Sequence, residues 1–264
     1  MDHMDFREIG KLVSEDRFSL EYLWKKRGNT VCPSCSSFEF YYHQRWRVRC
    51  KGCKKDYWPL QGTRFSLLRI SPSQWLSLVK LFELSTSARK ASQEVHLSYK
   101  TTLRAYDILR RVLVEELAKT DDILKGELEA DEAYFDGKRK GKRGRGAGGK
   151  TIVYGILERG GRVAVSIVQD VSAESLMTET VKRVRRGSIV YTDKWRGYDS
   201  LMFCGYKHLN IDHRYKFEQG KVYINGIEGF WSFAKERLIK HHGISRKKFL
   251  YYIKEMEWRY NNRV

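Results

Sequence analysis

No apolar run in this 264-residue chain reaches the roughly 18 residues that cross a bilayer, so none of it reads as a membrane helix. The stretch from Met1 to Glu8 lacks both the basic start and the apolar core of a signal peptide, and a cytoplasmic location is expected, on the nucleoid if the cell is prokaryotic. Cysteine is scarce, at five residues, and in a reducing compartment disulfides are not expected. Acidic residues are short as well: 32 Asp plus Glu stand against 51 Lys plus Arg, a formal charge of +19. The shortage is not local, with 23 basic against 15 acidic residues in 1–125 and 28 against 17 in 126–264. An excess of one sign along the whole length suits a protein that touches a polyanion; a merely soluble basic protein is the alternative. Hydrophobic residues at 41% and aromatics at 13% exclude a disordered tail, and the length allows two or three domains.

Four of the five cysteines stand in two pairs, Cys32-Pro-Ser-Cys35 and Cys50-Lys-Gly-Cys53, with 14 residues between the pairs. Each pair turns two thiolates toward one point, and four thiolates complete a closed tetrahedral site for one Zn²⁺. Such a site has no open position, so its role is structural. Aromatic and β-branched residues between the pairs predict strands, and together these features predict a zinc ribbon. Cys204 stands alone and reads as a buried thiol. Arg45, Arg47 and Arg49 alternate, share one strand face, and are candidate phosphate contacts; a solvated face is the bland alternative.

After the ribbon, Ser71-Pro72 opens a helix with a cap residue and an early proline. A short helix over 87–95 and a longer one from Ser98 toward Leu117 follow, the latter with an apolar stripe of Leu103, Tyr106, Leu109, Leu113 and Leu117. A short helix, a tight turn and a longer helix suggest helix-turn-helix, whose second helix puts its N-terminal residues on base edges. Tyr99, Lys100, Thr102 and Arg104 are the candidates for that contact; an ordinary three-helix linker is the alternative.

From residue 126 the pattern changes. Strands are expected over 127–135, 151–158, 162–169, 188–192 and 206–211, with a hairpin turn at Gly160-Gly161. Helices are expected over 172–186, 195–203, 225–241 and 245–261. The segment 138–150 holds seven basic residues, five glycines and no large apolar group, so it cannot pack alone. Lys138, Arg139, Lys140, Lys142, Arg143 and Arg145 are its candidate DNA-backbone contacts. Three antiparallel strands, a helix, a strand, a helix, a strand and closing helices form the order of the RNase H-like fold. That order sets the first and fourth strands side by side with a later helix laid over them. Asp131 on the first strand, Asp193 ending the fourth and Glu228 opening the helix then converge, and three such carboxylates can hold two Mg²⁺ or Mn²⁺ ions for phosphoryl transfer. On the helix, Lys235 lies seven residues after Glu228, on nearly the same side.

The two cysteine pairs, Glu129-Ala-Asp-Glu-Ala-Tyr-Phe-Asp-Gly-Lys138, Gly144-Arg-Gly-Ala-Gly-Gly-Lys150, Thr192-Asp-Lys-Trp-Arg-Gly-Tyr198, Asn225-Gly-Ile-Glu-Gly-Phe-Trp-Ser-Phe-Ala-Lys235 and the ending Glu257-Trp-Arg-Tyr-Asn-Asn-Arg263 resemble one known family. It is the ISXO-type, Merlin-related group of insertion-sequence transposases in the DDE superfamily, and the resemblance covers nearly the whole chain. The resemblance implies that Asp131, Asp193 and Glu228 are metal ligands and that Lys235 is an accessory basic residue. It implies that the N-terminal ribbon and helices read terminal inverted repeats and that the protein acts as a homo-oligomer, at least a dimer, on duplex element ends and target DNA. Many relatives carry His where this chain has Tyr223, which removes any auxiliary role of that His and leaves the metal triad. The expected organisation is a helical lead over 1–24, a zinc ribbon over 25–66, a helix-turn-helix-like segment over 67–125 and an RNase H-like catalytic domain over 126–264. A nuclease or resolvase on the same fold, and a domesticated DNA-binding regulator, are the rival readings; an end-reading module argues against the first and three intact carboxylates against the second.

Overall fold

The computed structural model describes residues 4–28, 31–43, 46–119, 123–135, 150–193, 204–211, 223–241 and 243–263. Contacts divide the chain into two compact units, Met1–Val112 and Leu113–Val264.

In the first unit, helix α1 (Phe6–Val13) starts at Asp5, which accepts from the backbone of Arg7 and Glu8 while the Glu8 carboxylate accepts from Asp5 N, a reciprocal cap. Helix α2 (Asp16–Lys26) is followed by a three-stranded antiparallel sheet, β1 (Phe40–His43), β2 (Arg47–Cys50) and β3 (Asp56–Tyr57), in the order β1-β2-β3. The lead and the ribbon share a core: Trp24 of α2 is buried and its ring packs against Phe40 at 5.3 Å and Tyr57 at 5.6 Å. Asp16 accepts from the Trp46 indole and from the Ser73 hydroxyl, tying α2 to the ribbon and to the next helix. That helix, α3 (Pro72–Glu83), has Ser71 and Gln74 as a second reciprocal cap with proline at its start. Helices α4 (Ala88–Glu94) and α5 (Tyr99–Lys119) complete a helix-turn-helix-like arrangement, with the turn at 95–98.

The second unit is built on a mixed sheet. Its strands are β4 (Glu127–Phe135), β5 (Thr151–Glu158), β6 (Val163–Val168), β7 (Ile189–Asp193) and β8 (Lys207–Ile211), in the order β6-β5-β4-β7-β8. The first three are antiparallel, and β7 and β8 continue parallel to β4. This order and polarity make the unit RNase H-like. Helix α6 (Ala173–Arg183) covers one face, where Leu128, Ala130, Tyr154, Ile156, Val190 and Leu176 form one core. Helices α7 (Asn225–Leu238) and α8 (Arg246–Asn261) cover the other, where Val153, Val165, Ile227, Phe230, Trp231 and Ile253 form a second.

The expected helix over 172–186 stops three residues earlier. Val184 is extended and pairs with Leu124, and the exchange of Leu124 N to Arg183 O at 2.7 Å and Arg185 N to Leu124 O at 2.8 Å draws the chain into the sheet before another turn forms. The expected helix over 195–203 lies outside the described residues.

The closing helix finishes the sheet edge. Strand β6 is an edge strand, and Asn261 completes it from the side: its Oδ1 accepts from Val163 N at 2.8 Å and its Nδ2 donates to Val163 O at 2.9 Å. Glu257 Oε2 accepts from Val165 N at 3.0 Å and pairs with Lys254 Nζ at 2.6 Å. Two side chains of one helix thus stand in for a sixth strand and close an edge that would otherwise offer unpaired donors.

Candidate metal and DNA-processing site

Residues 127, 129, 131, 133 and 135 of β4 alternate onto the face under α7. Ala133 and Phe135 join the apolar core there, and Glu127, Glu129 and Asp131 form the polar half of the same row. The structure separates these three acids. Arg159, in the turn after β5, pairs with Glu127 at 2.9 Å and Glu129 at 3.1 Å. Glu129, only 1% exposed, also accepts from Ile227 N at 2.9 Å, so its charge is met by a guanidinium and a helix N-terminus. Asp131 accepts instead from a neutral donor, the Trp231 indole, at 3.0 Å. Burial pushes the Asp131 carboxyl up to about 7, with the charges of Glu132 and Asp193 adding to it.

Asp193 is the last residue of β7. The parallel register pairs Glu129 with Tyr191, and continued by two residues it sets Asp131 beside Asp193. Glu228 lies in the first turn of α7, one turn before Trp231 and one residue after Ile227, both bonded to β4 acids. Trp231 can lie flat on the strand because Asp131 is paired with Gly155: a Cβ there would stand 2.6 Å from the indole. Glu228 and Lys235 are both exposed. The three carboxylates therefore share one region of the sheet but are not gathered tightly. Among the described residues, the only group of three or more candidate ligands within 4.8 Å of one another is Cys32, Cys35, Cys50 and Cys53.

That cysteine group has the shape of a closed site. The Sγ atoms of Cys32 and Cys53 are 3.6 Å apart and those of Cys35 and Cys50 are 3.5 Å apart. Four thiolates about 2.3 Å from a central metal would have edges slightly under 4 Å, so the donor set fits a tetrahedral ion. Burial raises the Cys32 thiol, but hydrogen bonds from the Tyr57 hydroxyl and the Ser34 and Cys35 backbone outweigh it and bring it to about 6. Cys50 is lowered too, despite burial, whereas Cys35 is carried up to about 11; although the Ser37 backbone lowers it, the Cys50 thiol and burial outweigh that.

A sequence model of the ISXO2-like transposase domain matches residues 123–261. The chain belongs to this family. A transposase-like protein of Haemophilus influenzae is 41% identical over 101 residues, covering 38% of this chain and 82% of that protein. A protein in transposable element ISH50 of Halobacterium salinarum is 28% identical over 258 residues, covering 88% of this chain and 86% of that protein. Among solved structures, the Mos1 strand transfer complex is similar at 11% identity and a TM-score of 0.32, over 70% of each chain. At that distance the likeness adds nothing to the strand order already described.

In this transposase-family chain the other expected contact residues divide. Tyr99, Lys100 and Arg104 are exposed at the start of α5, with the Arg89 guanidinium 5.3 Å from the Tyr99 ring centroid. Thr102 is fully buried and its hydroxyl donates to the Ser98 carbonyl, so it faces the core and not a base. The buried face of α5 runs through Thr102, Ala105, Tyr106 and Leu109, a rotation from the expected stripe that leaves Leu103 only half-buried. Arg47 is exposed, while Arg49 forms a two-pronged pair with Asp56 across the ribbon. Arg45 lies outside the described residues, as do Lys138, Arg139, Lys140, Lys142, Arg143 and Arg145. Among the described residues no helix is long and apolar enough to cross a membrane. Sequence reasoning missed Trp231 as the partner of Asp131, Tyr57 as a donor to Cys32, and Arg159. Helical spacing marks Trp231 only as an apolar position, and nothing in a single sequence marks an arginine in a hairpin turn as a tie between distant acids.

Proposed function

We propose that this chain is the DNA transposase of an insertion sequence, binding terminal inverted repeats in duplex DNA and catalysing strand cleavage and strand transfer. What supports this reading is the parallel register of β4 and β7, which continued by two residues sets Asp131 beside Asp193, with Asp131 bonded to the helix that bears Glu228, in a chain of the ISXO2-like transposase family. Asp131, Asp193 and Glu228 would hold two Mg²⁺ or Mn²⁺ ions, an all-oxygen donor set that suits hard cations. When bound, such a pair supplies charge that stabilises the attacking and leaving oxygens of an in-line displacement. The reaction is hydrolysis at the element's end, followed by attack of the freed 3′-hydroxyl on a target phosphodiester. The chain itself positions: Trp231 fixes the Asp131 carboxylate, and Lys235, two turns along from Glu228, is placed for a DNA phosphate. Cys32, Cys35, Cys50 and Cys53 hold one structural Zn²⁺. Tyr99, Lys100 and Arg104 contact the element end, Arg45, Arg47 and the six basic residues from Lys138 to Arg145 contact backbone phosphates, and the active form is a homo-oligomer.

The test is strand transfer by the full chain with the element's own ends and Mn²⁺. Asp193→Asn is expected to lose at least about a thousandfold in cleavage, roughly 4 kcal/mol of transition-state stabilisation, while end-DNA affinity stays near normal. Retained strand transfer in that variant would overturn the assignment.

A further inference from the structure

The three elements that bear Asp131, Asp193 and Glu228 are joined a short distance from those acids by one buried network. Glu129 lies two residues before Asp131, with Oε1 accepting from Arg159 Nε at 3.1 Å and Oε2 from Ile227 N at 2.9 Å. A helix leaves its first N–H groups unpaired. The residue at the start of α7, Ile224, has no side-chain acceptor, so a carboxylate 98 residues away does the capping. Arg159 also donates Nη2 to Tyr223 O at 2.6 Å, immediately before that helix. Its guanidinium lies 3.7 Å from the Tyr191 ring centroid and 4.0 Å from that of Tyr223. Tyr191 is two residues before Asp193, and its hydroxyl donates to Glu127 at 3.1 Å. The seat admits one depth only: a Cβ on Gly226 would stand 2.7 Å from Leu157 Cδ2 and 2.8 Å from Glu129 Oε2.

We propose that Glu129 and Arg159 are positioning residues that set the first turn of α7, and with it Glu228, against the strand pair carrying Asp131 and Asp193. The inference rests on the reading of those three acids as the metal-binding set, and adds groups that act through them. Glu129 is 1% exposed, so an effect it has on the reaction passes through the groups it is bonded to, Arg159 and the first turn of α7. A buried ion pair can also serve stability alone. The two roles differ in what they move: a pair that only stabilises lowers the melting temperature, whereas a pair that places Glu228 changes the metal dependence of a folded enzyme.

The experiment is a Mn²⁺ titration of end cleavage by the full chain, with melting temperature and end-DNA affinity measured alongside. Glu129→Gln keeps an acceptor for Ile227 N and loses the charge; it is expected to raise the Mn²⁺ midpoint about 10- to 100-fold with DNA affinity unchanged, the range usual for outer partners of metal ligands. Gly226→Ala, which changes no charge but sets a methyl against Leu157 and the Glu129 carboxylate, is expected to move the midpoint the same way. A folded Glu129→Gln with a wild-type midpoint overturns the proposal. If that variant does not fold, a wild-type midpoint in Gly226→Ala overturns it instead. Wild-type cleavage by Asp193→Asn would sink the metal-set reading and this inference together, whereas a dead Asp193→Asn beside a wild-type Glu129→Gln sinks only the positioning role.

Discussion

The chain carries two candidate metal sites built in opposite ways. The four cysteines come from two short knuckles, and their sulfurs already lie within 4.8 Å of one another. The three carboxylates come from two strands and a helix spread over nearly 100 residues, and they share a region without closing on a point. The thiols are brought together by two knuckles of fixed spacing. Carboxylates at neutral pH repel, and here burial and the neighbouring acids raise Asp131 to about 7. A closed four-thiol set suits a structural metal, and an open carboxylate set suits catalytic ions that also meet substrate oxygens.

The largest effect expected from this contrast is metal removal. Stripping Zn²⁺ with a strong chelator, or changing Cys50→Ser with Cys53→Ser, should unfold the ribbon, since structural zinc in small modules contributes an apparent ~10–16 kcal/mol. Trp24 packs on Phe40 and Tyr57, so α2 should loosen with it. The sheet of the second unit should remain. Metal analysis and hydrogen exchange resolved along the chain check this: a zinc content unchanged in the double variant would refute the ligand set, and equal loss of protection in both units would refute the contrast.

The same contrast explains what was legible in the sequence. The cysteine site is local, its spacing is its geometry, and all four ligands could be named. The strands of the second unit were legible because their alternation and turn residues are local too. That Asp131, Asp193 and Glu228 lie in one region of the sheet was legible only through topology and the family resemblance. What could not be read were the ties made across the fold: Asp131 to Trp231, Glu129 to Ile227, Arg159 between two tyrosines. Arg49 and Thr102 have partners that periodicity does not show. Alternation put Arg49 on a basic face, but its partner Asp56 sits on the next strand. Helical periodicity placed an apolar stripe, but Thr102 satisfies its own hydroxyl on Ser98 and can be buried as if apolar.

A middle-sized effect should appear at the sheet edge, where no metal is involved. Asn261→Ala leaves Val163 N and O without their side-chain partner, and the loss is expected to be about 1–3 kcal/mol of stability in the second unit. Denaturant unfolding measures it. The same variant exposes part of an edge strand and should self-associate more readily. A midpoint within error of wild type would show that water replaces Asn261 without cost and that the edge is not closed by this helix.

The smallest expected effect, and the sharpest test of the difference between the sites, is the pH dependence of divalent-ion binding. Asp131 must be ionised to act as a ligand, and its carboxyl stands at about 7 without metal. At pH 6 roughly a tenth of the molecules carry the charge and at pH 8 roughly nine-tenths, so Mn²⁺ affinity should be close to tenfold lower at pH 6 than at pH 8, about 1.3 kcal/mol. The sign for stability follows from the same shift. The folded value lies above the ordinary value of an aspartate carboxyl, so the folded chain binds the extra proton between them. Its contribution to stability in the absence of metal is then greatest below the unfolded pKa and is lost as pH rises through about 7. Mn²⁺ should restore part of that loss at pH 8 and little at pH 6. Thermal melts at the two pH values, with and without Mn²⁺, measure both quantities. Asp131→Asn should remove the pH dependence and the Mn²⁺ response together; a variant that keeps either one would place the titrating ligand elsewhere.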